Sequence, residues 1–387
     1  LRILHIITTL DVGGAEMHLL SQVRGQHIRG HEVRVVYIKG QGTLAQDFRA
    51  AGACAVLQAP FGPGLSKVLT HIAWAEIVHS HLLKADMLAA VLCTSAGARR
   101  KLVSGKHNDE QVLKQPLVSR IHGFIGNLPQ RTIALSDHVA RFVEEHGRVD
   151  CKSMRRVYYG LDPAPFEAAA AMREQARSQL QSEFGFEEDA VVFICVARFA
   201  PQKAHAVLLR ALRGALDGAP SEEPAPRLLL VGGDPFGDGE ERAKALAAEL
   251  DLGRACVFAG IRRDVPQLMA ASDVFVMSSL WEGLGLVFLE AMATCLPVLA
   301  SGVSAVPEVV LQGETGLLVP PAEDVPMTAA MLELSRDPDL RRRLGLAGAA
   351  RRAEHFGLAR MVDQTLGIYR EVTEGAAADP AVLPAAQ

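Results

Sequence analysis

A chain of 387 residues, 49% hydrophobic and 22% charged, is too long for one ordinary core and has the composition of a soluble two-domain protein, which excludes a largely disordered chain. Its formal net charge of −4 excludes a globally basic nucleic-acid binder, so no nucleic-acid partner is expected. The apolar run 284–300 contains Glu290 and Pro297 and fails as a membrane span, which leaves only peripheral membrane contact open.

In the first half, apolar runs of strand length alternate with segments of helical period, the pattern of βαβ units on a parallel sheet. The expected strands are "RILHIIT" (2–8), "EVRVVYI" (32–38), "AEIVHSH" (75–81), "KLVSGKH" (101–107) and "RTIALS" (131–136). Prolines 163 and 165 in "YYGLDPAPFEAAAAMREQ" interrupt the pattern and place a hinge near residue 160. The pattern restarts with "VVFICVA" (191–197), "RLLLVGG" (227–233), "ACVFAG" (255–260), "DVFVM" (273–277) and "PVLAS" (297–301). The expectation is α/β, with two Rossmann-like, doubly wound domains facing across a cleft: 1–160 and 161–357. A last helix follows at about 358–375, and then a disordered tail, 376–387. Cys54, Cys93, Cys151, Cys195, Cys256 and Cys295 show no C-x-x-C spacing and read as buried, reduced thiols. The start "LRILHIITTL" carries no secretion signal, so a cytoplasmic protein is expected.

In such sheets ligands bind where strand-end loops converge, so chemistry is sought there. "SSLWEGLGLVFLEAMA" (278–293) puts Glu282 and Glu290 around Gly283 and Gly285. On a continuous helix their spacing spans roughly 12 Å. A retaining hydrolase pair needs about 5 Å, so a paired-acid mechanism on one atom is disfavoured. The glycines place Glu282 in a turn and Glu290 in the first turns of a helix, whose free N–H groups form a site for phosphate or hydroxyl oxygens. Two solvated acids beside a buried helix is the plain alternative. In "VARFAPQKAHAVLLRAL", Arg198 and Lys203 stand on a strand-end loop, where each cation about 4 Å from a diphosphate is worth roughly 4 kcal/mol before desolvation. The only D-x-D string, "DPD" at 337–339, reads as a helix start capped by Asp337, so metal binding is disfavoured and no cofactor is expected. Gly13 and Gly14 lack the full dinucleotide fingerprint but permit close approach to a phosphate. His79 reads as structural, His81 and His107 as candidates on the cleft side, and Ser136 as a helix cap. "KQPLVSRIHGFIGNLPQR" (114–131) mixes cations with apolar residues: a helix packed on its own sheet is expected, a membrane-surface segment the alternative.

"WEGLGLVFLEAMA" resembles the E-x(7)-E signature of family-four retaining glycosyltransferases of GT-B architecture. "ARFAPQKAHAVLL" resembles their Arg and Lys pair, "DVGGAE" their N-terminal glycine loop and "GETGLLVPP" a C-terminal loop, over nearly the whole chain and in the same order. The resemblance implies a metal-independent transfer of a hexosyl or N-acetylhexosaminyl unit from a UDP- or GDP-linked donor to a glycan, lipid-linked or small-molecule acceptor. It implies Arg198 and Lys203 on the donor diphosphate, Glu290 on the ribose and Glu282 on the sugar. Backbone N–H groups of Leu284, Gly285, Leu286 and Val287 would reach sugar and phosphate oxygens. Ile261 and Arg263 would read the base, Gly14 would lie under the phosphates, and His107 would approach the transferred sugar and the acceptor. From their strand-end positions, His81 and Ser136 are placed on the acceptor side. The last helix would cross back onto the first domain. The chain departs from the family where Tyr159 replaces an asparagine, Ala197 and Ala204 replace glycines, and Leu284 replaces phenylalanine. A sugar-nucleotide epimerase and a non-catalytic nucleotide-sugar binder are the alternatives, and the sequence does not set the oligomeric state.

Overall fold

The protein, in a computed structural model that describes residues 1–60, 64–220, 225–234 and 237–375, divides into two compact units. Unit 1 joins Leu1–Leu161 to the segment that begins at Phe356, and unit 2 is Asp162–His355. The segment 376–387, expected as a disordered tail, lies outside the described residues.

Unit 1 is built on seven parallel strands: β1 (Arg2–Ile7), β2 (Glu32–Tyr37), β3 (Ala53–Gln58), β4 (Ile77–His81), β5 (Leu102–Lys106), β6 (Arg131–Ala134) and β7 (Met154–Arg156). Their order is β3-β2-β1-β4-β5-β6-β7. The two outermost, β3 and β7, were not expected. Edge strands are half-solvated, so neither "ACAVLQ" nor "MRR" carries the continuous apolar run of a central strand. Alternation along the strands feeds two faces. Leu4, Ile6 and Val78 pack with Val68, Ile72 and Ala89 from the helices Leu65–Trp74 and Leu83–Ser95. On the other face Ile3, Ile77, Val103 and Ile133 meet Met361, Val362 and Leu366 of the last helix, Leu358–Glu374. Glu371 ties that helix down through Arg131 at 2.9 Å and Arg155 at 3.1 Å.

Unit 2 restarts the plan with β8 (Val191–Val196), β9 (Pro226–Val231), β10 (Cys256–Gly260), β11 (Val274–Met277), β12 (Val298–Ser301) and β13 (Gly316–Val319), in the order β10-β9-β8-β11-β12-β13. Strand β13 lies inside "GETGLLVPP", which was expected as a loop. Both units share the order of a doubly wound sheet, in which winding reverses between the first and fourth strands. The crevices so defined lie beyond the C-terminal ends of β1 and β4 in unit 1, and of β8 and β11 in unit 2. The six cysteines are free thiols, but Cys54 and Cys295 are exposed, against the expectation of burial. Both follow directly on chain that leaves the core, one at the start of an edge strand and one after a helix end.

Candidate functional site

At the switch point of unit 2 two loops meet, one after β8 and one after β11. Lys203 Nζ forms an ion pair with Glu282 Oε1, and Ser279 Oγ donates to the same oxygen at 2.6 Å. The loops are laced by further bonds. Ser278 Oγ donates to the carbonyls of Lys203 at 3.0 Å and Ala204 at 3.1 Å, and Gln202 Nε2 donates to the Trp281 carbonyl at 2.6 Å. Glu282 is buried, so this pairing fixes the ammonium by a desolvated hydrogen-bonded contact rather than a screened surface one. Arg198, by contrast, is exposed and meets no carboxylate among the described residues.

Gly285 turns the chain with φ +80°, and a Cβ there would stand 2.6 Å from the Phe288 ring, so only glycine fits. The helix Leu286–Ala293 starts at that turn, with the first N–H groups open because no preceding turn can accept them. Glu290 lies one turn in, and burial raises its carboxyl from 4.5 to about 7. At the end of β10, Ile261 is 82% exposed and Arg263 is exposed beside it, whereas Arg262 is tied to Asp264 at 2.7 Å. The structure therefore brings Arg198, Lys203, Glu282, Gly283, Leu284, Gly285, Leu286, Val287 and Glu290 to one switch point, with Ile261 and Arg263 at the end of a strand on the same sheet. Sequence reasoning missed Ser278, Ser279 and Gln202, whose hydrogen bonds have no signature in residue type alone. The D-x-D carboxylates are engaged elsewhere: Asp337 accepts from the Leu340 N–H at 2.8 Å and Asp339 pairs with Arg342 at 3.1 Å.

In unit 1, Gly13 and Gly14 open the helix Gly14–Ile28 beyond β1. They differ in kind. A Cβ on Gly13 would meet Glu16 Oε2 at 2.5 Å, whereas one on Gly14 would meet nothing within 4 Å, leaving room before that residue. Ser136 caps its helix, accepting from Val139 N–H at 3.0 Å, and is fully buried. His81 is also fully buried. Its Nε2 lies 2.9 Å from His5 Nδ1, and its Nδ1 lies 2.9 Å from His107 Nε2. The remaining nitrogen of His107, Nδ1, is 2.7 Å from the hydroxyl of Tyr159. The tyrosine that departs from the family asparagine thus sits directly on the expected catalytic histidine.

The helix Pro116–Ile125 forms as expected and packs on its own unit through Ile125, but its apolar residues divide between the two sides. Its buried positions are Ser119 and His122, while Leu117 (70% exposed), Ile121 and Phe124 (77%) form an outward apolar stripe beside exposed Lys114 and Arg120. His122 is drawn inward by the Gly147 carbonyl at 2.6 Å and by Lys106 at 3.3 Å, which decides the rotation. Among the described residues no helix is long and apolar enough to cross a membrane.

With this geometry the comparisons agree. Residues 12–165 match Glycosyltransferase Family 4, and residues 176–351 match Glycosyl transferases group 1. The D-inositol 3-phosphate glycosyltransferase of Streptomyces griseus subsp. griseus is 30% identical over 95% of this chain and 86% of its own. The GDP-mannose-dependent alpha-(1-6)-phosphatidylinositol monomannoside mannosyltransferase of Mycolicibacterium smegmatis is 28% identical over 87% of this chain and 89% of its own. The fold matches that of Anabaena HepE, solved in complex with UDP-glucose, with a TM-score of 0.84 at 22% identity over 97% of this chain and 100% of that one. Two doubly wound units, each matched by its own glycosyltransferase family, and a relative similar along almost its whole length mean that this chain belongs to the family-four glycosyltransferases of GT-B fold.

Proposed function

We propose that the chain is a retaining, metal-independent glycosyltransferase that moves a hexosyl or N-acetylhexosaminyl unit from a UDP- or GDP-linked sugar to a hydroxyl of a glycan, lipid-linked or small-molecule acceptor. The observation that carries this reading is the Lys203–Glu282 ion pair between the loops after β8 and β11, with Arg198 on the first of those loops and Glu290 on the helix that follows the second. Unit 2 takes the donor and unit 1 serves the acceptor. As the glycosidic C–O bond stretches, positive charge grows on the anomeric carbon and negative charge on the departing phosphate. Arg198, Lys203 and the open N–H groups of the helix Leu286–Ala293 are aimed at the second charge and lower the barrier by stabilising it. Glu282 orients the Lys203 ammonium and faces the sugar, Glu290 accepts from the ribose hydroxyls, and Ile261 with Arg263 contacts the base. The acceptor hydroxyl enters on the face the phosphate leaves, and its proton passes to the leaving phosphate oxygen, so no enzymic nucleophile is needed. Fixed cations take the part of a divalent metal, a reading supported by the engagement of both D-x-D carboxylates in a helix cap and a surface pair. A relative named as GDP-mannose-dependent and a fold relative solved with UDP-glucose support these two donor classes. Six free thiols support a cytoplasmic setting. The stripe Leu117, Ile121 and Phe124 with Lys114 and Arg120 supports peripheral contact with an anionic membrane that carries the acceptor.

The test is release of free UDP or GDP from UDP-glucose or GDP-mannose in excess chelator. Slow turnover that is abolished in Lys203→Ala, with an unchanged circular dichroism spectrum, is expected. A strict requirement for magnesium or manganese overturns the mechanism. Interconversion of free sugar nucleotides would identify an epimerase, and donor binding without turnover across an acceptor panel a non-catalytic binder.

A further inference from the structure

The parallel register of unit 1 sets His5 beside His79 and His81 beside Gly105, all on the face covered by the last helix. The hydrogen bonds there form one chain whose direction can be worked out. Gln26 Oε1 only accepts, so His5 Nε2, 2.9 Å away, carries the proton. Burial lowers His5 to about 4, so it is neutral near pH 7 and its Nδ1 accepts from His81 Nε2–H. His81 Nδ1 then accepts from His107 Nε2–H, and His107 Nδ1 accepts from the Tyr159 hydroxyl. On the other side, Gln26 Nε2 donates to Tyr369 Oη at 3.4 Å, and the Tyr369 hydroxyl donates to His79 Nδ1 at 2.7 Å. That leaves the proton of His79 on Nε2, which finds no protein partner.

His79 Nε2 belongs to a residue lining a buried cavity of about 10 Å³, and the same cavity is lined by His18 and Gln22. His18 Nδ1 and Gln22 Oε1 are equally without protein partners. A space of this size holds one water, and buried waters make about three hydrogen bonds. His18 stacks on Tyr159 with ring centroids 4.0 Å apart, so the last link of the circuit is a ring contact rather than a hydrogen bond. Gly105 keeps the centre open: a Cβ there would lie 3.0 Å from both His79 Nε2 and His107 Nε2.

We propose that this circuit, closed by one buried water between His79, His18 and Gln22, is a positioning device for glycosyl transfer: it holds His107 neutral and protonated on Nε2, and Tyr369 of the C-terminal helix is the positioning residue that sets its direction. The proposal rests on the transferase reading above for its catalytic consequence, but the circuit itself is read without activity. His5, His79 and His81 lie close enough together to hold a metal ion, yet the circuit already uses five of their six ring nitrogens. Metal occupancy is therefore the competing outcome.

The experiment uses the full chain labelled with ¹⁵N-histidine and long-range ¹H–¹⁵N correlation at pH 7. His5, His79, His81 and His107 are expected as Nε2–H tautomers, with no zinc in the purified protein by mass spectrometry and no change on adding zinc chloride. In Tyr369→Phe the fixed tautomers of His5 and His79 are lost, and kcat for transfer falls about tenfold to a hundredfold, the range that a misplaced reacting group costs, while KM for the donor stays within about twofold. Gln26→Leu breaks the chain at a second place and is expected to show the same signature should the first variant fold poorly. An Nδ1–H or protonated His107 in the wild type, unchanged tautomers in the variants, or one zinc per chain lost in His79→Gln would each overturn the proposal. Absence of transfer with the tautomer pattern intact would overturn the transferase reading and leave the circuit standing.

Discussion

On the proposed function, Glu290 makes the affinity for the donor depend on pH. Its carboxyl is raised to about 7 by burial, and no hydrogen-bond donor or cation on the described protein offsets that desolvation. On that reading two ribose hydroxyls donate to it and favour the ionised form, so the site loses a proton when the donor binds. The direction follows: the free protein is largely protonated at pH 6 and ionised at pH 8, so binding tightens as pH rises. With a value of about 7, roughly one molecule in eleven is ionised at pH 6 and ten in eleven at pH 8. The dissociation constant for UDP-glucose should therefore fall about tenfold over that interval, equivalent to about 1.4 kcal/mol. UDP-glucose is the right probe because its diphosphate diester does not titrate in this window. His205, packed on Phe199 at 4.5 Å at the edge of the site, is lowered to about 4 and is silent there. Isothermal titration calorimetry in two buffers of different ionisation enthalpy should report release of about half a proton per donor at pH 7. Glu290→Gln should bind with a flat profile and no proton release. A flat profile in the wild type, or the same slope in the glutamine variant, would refute the placement of Glu290 on the ribose.

Ala204 holds a left-handed conformation, φ 46° and ψ 44°, where an L-residue is strained, so Ala204→Gly should raise Tm by about 2 °C once the extra freedom of glycine in the unfolded chain is deducted. A fall in Tm would show that the strain is absent. Gly285→Ala should do the reverse, lowering stability by about 2 kcal/mol or more through the positive φ and the clash with Phe288, measured by urea unfolding. Asp86→Asn should cost about 3–5 kcal/mol, since it strips the counter-charge from buried Lys106, 2.6 Å away; a loss below about 1 kcal/mol would mean the pair is solvated. Leu117→Ser with Phe124→Ser should weaken sedimentation with anionic vesicles while changing stability by less than about 0.5 kcal/mol per site, and unchanged sedimentation would remove the membrane reading.

The strands other than β3, β7 and β13 were legible, and all of these except the edge strand β10 are central strands of a parallel sheet, buried on both faces and readable as apolar runs. The three misses, "ACAVLQ", "MRR" and "GLLV", sit at sheet edges, where half the residues face water or the run is too short to stand out. Of the candidate site, the strand-end loops of unit 2 were readable because Lys203, Glu282 and Gly285 are residue types whose chemistry requires a stated position. The lacing by Ser278 and Ser279 was not, since serine at a strand end predicts a cap as readily as a loop tie. Histidine was the hardest residue to read. His79 was taken as structural and His81 as a cleft-side candidate, yet register places both in one hydrogen-bonded chain, and register is a property of the pairing of strands far apart in sequence. The outward stripe of the helix Pro116–Ile125 was not readable either, because Ser119 and His122 are buried by polar partners while Leu117 and Phe124 face out.

The two sheets share a winding order but use their switch points differently, and the difference is informative about chemistry. A group that has spent its hydrogen bonds inside the protein has none to give a ligand without first breaking one, whereas an unpartnered charge held on a fixed loop loses only water when a ligand arrives. In unit 2 Arg198 and Glu290 keep their capacity free beside the braced Lys203. In unit 1 the histidines at the ends of β4 and β5 are already hydrogen-bonded within the protein, with both nitrogens of His107 occupied. On the proposed reading, the charge neutralisation that transfer demands is concentrated at the β8/β11 loops, and His107 contributes as a held neutral ring. Proton transfer by His107 would require Tyr159 to surrender Nδ1 first. Tyr159→Phe separates the two cases: a held ring loses its cap and kcat drops, whereas a restrained base is released and kcat rises toward high pH.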